Sequence, residues 1–92
     1  MFIGKVKARV VATVKHPSYV GRKILLVRQI NPRTGEEYGE PVVAVDFVDA
    51  GVGDTVLVSQ EGGSARRVLG DKSAPVRSFI VGIVEDWEMA EE

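Results

Sequence analysis

An alternation at the start of the chain restricts its fold more than any other feature. Phe2, Val6, Ala8, Val10, Ala12 and Val14 fall on one parity, and Lys5, Lys7, Arg9 and Thr13 on the other. A period of two over this length describes an extended strand with one covered face and one wet face. His16-Pro17-Ser18 ends it, since proline has no amide to donate and restricts the residue before it, and Gly21 then offers a turn. A strand of this kind needs partners for its backbone groups. Further β-rich runs follow at residues 23–30 (KILLVRQI), 42–48 (VVAVDFV), 55–59 (TVLVS) and 76–84 (VRSFIVGIV).

The connections read as turns. Residues 31–41 carry Asn31, Pro32, Gly35, Gly39 and Pro41, the chemistry of an exposed hairpin loop expected to be the most mobile part of the chain. Residues 50–54 (AGVGD) form a tight glycine turn, and the strands on either side of it are expected to pair as a hairpin. Ser64 and Gly70 are placed to cap and terminate one short helix. The chain then ends in an acidic tail from about residue 85 that contains Trp87. The fold expected is mainly β, a five-stranded, small OB-like barrel with one short helix, because closure removes exposed sheet edges. No repeat or linker divides the chain, and residues 1–92 are expected to form a single domain.

A domain of 92 residues buries a limited share of its surface, and small folds draw extra stability from disulfides, metals or association. Zero cysteines and one histidine leave association as the expected source. The first residues lack a secretory pattern and no apolar run approaches a membrane span, so a soluble, cytoplasmic protein with no membrane partner is expected. The formal charge is -1, which gives no general attraction to nucleic acid.

Several residues invite a chemical reading. Lys5, Lys7 and Arg9 resemble an oligonucleotide-binding face on such a barrel, the alternative function considered, but single-strand binders interleave aromatics with their cations and Phe2 lies on the opposite parity. The segment Gly62-Gly63-Ser64-Ala65-Arg66-Arg67 has the makings of an anion nest, although such arginines more often pair with acidic neighbours. His16 has no second histidine and no cysteine with which to hold zinc, and Ser59, Ser64, Ser73 and Ser78 lack an activating base beside them in sequence. No enzyme activity, cofactor or metal is expected.

Ile3-Gly4-Lys5-Val6, Val11-Ala12-Thr13, KILLVR after Gly21, VAVDFVDAGVGDTVLV, GGSARR, Pro75-Val76 and Gly82-Ile83-Val84-Glu85 occur in an order and spacing that resemble the bacterial microcompartment vertex protein family, the carboxysome and ethanolamine-utilisation pentamer type. The likeness covers nearly the full length. Asp49, Ala8 and Arg77 depart from it, standing where the family generally has glycine, glycine and aspartate. The resemblance implies a barrel that assembles into a homopentamer and occupies the vertices of a polyhedral shell otherwise built from flat hexameric or pseudohexameric tiles. It further implies a ring-axis loop at Asp49, Ala50, Gly51, Val52 and Gly53, and a subunit contact at Ser64, Ala65 and Arg66. Trp87 is expected to cover its apolar body on its own barrel or across a subunit boundary.

Overall fold

The structure, a computed structural model, describes residues 1–11, 21–60 and 78–90. Five strands occur there: β1 (Phe2–Val10), β2 (Lys23–Ile30), β3 (Glu37–Asp46), β4 (Thr55–Ser59) and β5 (Phe79–Ile83). They close into a barrel of order β1-β2-β3-β5-β4, so no strand is left with an open edge. All neighbours are antiparallel except β3 and β5.

Alternation builds the interior. Val6, Leu25, Val27, Ala44, Val56, Val58 and Ile80 meet in one cluster, joined by Ala50 from the β3–β4 connection, with Phe2 and Val48 packed against it. Gly4 is also inside, and its lack of a side chain is required. A Cβ there would lie 2.5 Å from Val27 Cγ1 and 2.9 Å from the Arg28 carbonyl oxygen. β1 holds its two faces apart as the pattern predicts only as far as Lys7, where a bulge shifts the phase: Val6 pairs Val27 inside the barrel, but Ala8 pairs the half-buried Leu26 and Val10 is exposed, so neither continues the covered face expected of them.

Three expectations are corrected. The chain between residues 31 and 41 is not one loop: residues 37–41 already belong to a strand. Only residues 31–36 turn, where Asn31 Oδ1 accepts from the Arg33 amide (2.9 Å), the Asn31 carbonyl accepts from Gly35 (2.7 Å), and Gly35 takes φ 76°. β3 then begins at Glu37 and passes Gly39 and Pro41 as a bulge. Val27 pairs Val42 and Gln29 pairs Tyr38, leaving Gly39, Glu40 and Pro41 opposite the single residue Arg28. Turn-forming residues here mark an irregular stretch within a strand pair.

Secondly, β3 stops at Asp46, two residues before the expected end, because the buried Asp46 carboxylate accepts from the amides of Val48 (3.0 Å) and Ala50 (2.9 Å) and turns the chain out of the sheet. Thirdly, β3 and β4 do not form a hairpin. The connection crosses to β1, with Gly53 N donating to Val6 O and Val6 N donating to Asp54 O, both at 2.9 Å, and β4 is thereby delivered to β1. The end of the first predicted strand, the helix expected at 64–70 and the start of the fifth strand lie outside the described residues.

Candidate functional site

The β3–β4 connection is the best-defined irregular feature of the barrel. Asp46 anchors its start, and at its end Asp54 Oδ2 accepts from the Gly51 amide (2.8 Å) while Asp54 N donates to the Gly51 carbonyl (3.0 Å). Between them, Asp49 adopts φ 59°, a left-handed conformation that aspartate tolerates better than most residues and glycine better still. Glycine would adopt that conformation at little cost, and Asp49 holds it here.

Of the five residues assigned to a ring-axis loop, the structure separates one from the rest. Ala50 is fully buried and packs in the core, so it lines no opening; its amide is tied to Asp46 and the chain can only pass inward there. Asp49, Val52 and Gly53 are exposed and Gly51 is half-buried, which leaves an outward tip of one carboxylate and one valine.

Lys23 links this tip to the barrel. Its Nζ lies 2.8 Å from Asp49 Oδ1 and 3.4 Å from Asp46 Oδ2, so one ammonium serves a solvent-exposed carboxylate and a buried one. The hydrogen bond from Lys23 holds the Asp49 pKa below its ordinary value, and the same bond raises that of Lys23, opposed by partial desolvation. Within one chain the Asp49 shift therefore runs down, opposite to the rise that repulsion between several carboxylates at a ring axis would give. The signs set the pH windows. The Asp49 contribution is present above the ordinary aspartate pKa and lost as pH falls through the lowered value; the Lys23 contribution is present below the ordinary lysine pKa and lost as pH rises through the raised one. Asp49→Asn is accordingly expected to lower the neutral plateau of a stability-against-pH curve by a small, salt-sensitive amount and to flatten its acid limb, with the two curves converging below the lowered pKa, as read by urea titration.

The second charged group lies on the outside of β1 and β2. Lys7 Nζ lies 3.0 Å from Glu37 Oε2, and that bond, with the nearby charges of Arg28 and Lys5, lowers the Glu37 pKa. Arg28 Nε donates to the Gly39 carbonyl at 3.1 Å, which fixes the bulge. Arg9, grouped with Lys5 and Lys7 by sequence parity, falls out of phase with them after the Lys7 bulge and pairs Leu25 at the barrel end. Trp87 is half-buried, and its indole Nε1 donates to the Pro32 carbonyl at 2.7 Å, so the tail is tied to the turn of its own barrel. Ser64, Ala65, Arg66 and His16 lie outside the described residues. Among the described residues no group of His, Cys, Asp and Glu is arranged to hold a metal ion. The Asp46 cap and the bulge opposite Arg28 were missed from sequence; an aspartate ending a β-run four residues before an alanine–glycine pair was the available signal for the first.

The described residues thus form a closed five-stranded barrel of the kind found in pentameric microcompartment shell proteins. The chain belongs to the ethanolamine utilisation protein EutN/carboxysome family, whose model matches residues 1–85. It is 41% identical to the microcompartment shell vertex protein PduN of Salmonella typhimurium, over 92% of this chain and 96% of that protein. It is 40% identical to the carboxysome shell vertex protein CcmL of Gloeobacter violaceus over 92% of this chain, and the solved CcmL structure superposes with a TM-score of 0.83, covering 97% of this chain and 90% of that one. The pentameric microcompartment shell protein GrpN of Rhodospirillum rubrum also superposes with a TM-score of 0.83 at 36% identity, covering 99% of this chain and all of that one.

Proposed function

We infer that this chain is a non-enzymatic structural subunit of a bacterial microcompartment shell, a homopentamer that closes the vertices of the polyhedron in the bacterial cytoplasm. The likeness to a pentameric shell protein, covering 99% of this chain and all of that one, carries the reading. Physical reasoning supports it: a cyclic ring repeats one heterologous contact until the rotation closes, so a small barrel gains buried surface from its own copies. The role requires a wedge of fixed shape and no turnover.

Hexameric or pseudohexameric tiles are the second partner, met at the rim of the ring. The tip formed by Asp49, Val52 and Gly53 is assigned to the axial side, and the segment containing Ser64, Ala65 and Arg66 to the subunit contact. Trp87, held on the turn of its own chain, supports that contact by fixing the tail. No nucleic-acid role is assigned, since the cations of β1 have no stacking aromatics interleaved with them.

Co-expression with hexameric shell tiles tests the function. Closed polyhedral particles are expected with this chain present, and open sheets or tubes without it, by electron microscopy. Equal closure in both cases would refute the role at the vertex.

A further inference from the structure

Among the described residues, charge is segregated on this barrel, with cations gathered on one face and carboxylates on another. On the outer face of β1 and β2, Lys5 and Arg28 are cross-strand partners in register, and Lys7 stands two residues from Lys5. Like charges directly opposite on a sheet are destabilising. Glu37 is the one carboxylate beside the three cations among the described residues; it pairs with Lys7 and lies near Arg28 and Lys5, while its other oxygen, Oε1, is buried without a hydrogen-bond partner. Glu40, in the bulge opposite Arg28, forms no ion pair with it. Beside the cations runs an apolar row in register across three strands, Ala8, Leu26 and Val43, with Val43 52% exposed.

The opposite sign lies on the segment that leaves β5. Glu85 and Glu88 are exposed, and among the described residues neither makes an ion pair; Asp86 accepts only from the Trp87 amide at 2.8 Å. The Trp87–Pro32 hydrogen bond holds this segment in place with its carboxylates outward. Apolar surface accompanies these acids too, since Val81, Ile83 and Met89 are 38%, 46% and 41% exposed. β5 adjoins β3 and β4 in the barrel and is hydrogen-bonded to neither β1 nor β2.

We propose that the basic outer face of β1 and β2, with its apolar row, is the docking surface for the acidic segment at residues 85–88 of a neighbouring copy, so that protomers join head to tail. Each chain carries one half of the contact on each of two different surfaces, the arrangement that builds rings instead of isologous dimers. Complementary potentials then fix the register and disfavour wrong pairings. Lys5 and Arg28, which form no ion pair among the described residues and have only Glu37 nearby, gain counter-charges, and the two apolar surfaces are covered together. The proposal rests on the ring reading and names the surfaces that make the ring.

The experiment is a charge swap followed by native mass spectrometry and light scattering over a dilution series. Lys5→Glu is expected to raise the concentration needed for half-assembly by at least about tenfold, because it sets acid against acid. Glu85→Lys with Glu88→Lys should do the same from the other side. All three substitutions in one chain should recover most of the assembly, which a misfolded single variant cannot imitate. Rings that persist in both partial variants, or fail to recover in the triple one, would overturn the proposed surfaces while leaving the ring intact in the wild type. A wild type that never assembles would instead overturn the ring reading, and the proposal with it.

Discussion

Leu25→Ala is expected to lower the unfolding free energy by about 3–4 kcal/mol, among the largest effects of a single truncation at the described residues. Leu25 is among the largest fully buried side chains, at 1% exposure, and sits in the central cluster between Val6, Val27 and Val58. A closed barrel cannot easily collapse onto the vacated volume, because each strand is held by hydrogen bonds on both sides. Domains of this size have a total stability of roughly 5–14 kcal/mol, so the loss is a large share of the whole. Urea denaturation at one fixed protein concentration measures it, since assembly makes apparent stability depend on concentration. A loss below about 1 kcal/mol would mean that Leu25 is not enclosed as described.

Gly4→Val is expected to cost about 3 kcal/mol by the opposite mechanism, overpacking. The added Cβ meets Val27 Cγ1 and, more seriously, the Arg28 carbonyl, which belongs to the β1–β2 ladder and cannot rotate aside. Gly4 has no positive φ, so the cost is one of space and not of backbone conformation. Gly82→Ala is the control, because a Cβ there has only Leu57 Cβ within ordinary contact distance at 3.9 Å. The valine variant should therefore melt well below the wild type and the Gly82 variant close to it. Similar melting of the two variants would contradict the account of the β1–β2 approach.

The difference between these glycines was invisible in the sequence, where both appear as small residues in apolar runs. More generally, the features read from period and composition were those with a repeating signal. β2 and β4 were expected at the bounds they occupy, and the alternation of β1 divides Val6 from Lys5 and Lys7 as the barrel does. The errors came where one side chain overrules the pattern. Asp46 reads as a polar residue within the run VVAVDFV, yet its two caps end β3 and send the chain to β1. Gly39 and Pro41 read as turn formers and instead make a bulge, since Arg28 across the ladder satisfies the Gly39 carbonyl.

The outer surfaces were less legible. Lys5, Lys7 and Arg9 share a parity, but the bulge at Lys7 removes Arg9 from the group and cross-strand register brings in Arg28. Pairing of that kind depends on contacts distant in sequence. Ala50 was grouped with Asp49 and Val52 through the family resemblance, while its side chain lies in the core with its amide bonded to Asp46.

The central claim is that copies of this barrel close into a ring of five, and native mass spectrometry of the purified chain tests it most directly. The account predicts a dominant species of five 10.0 kDa subunits that persists on dilution. A chain that remains monomeric at high concentration, or a ring that closes with six, would contradict it.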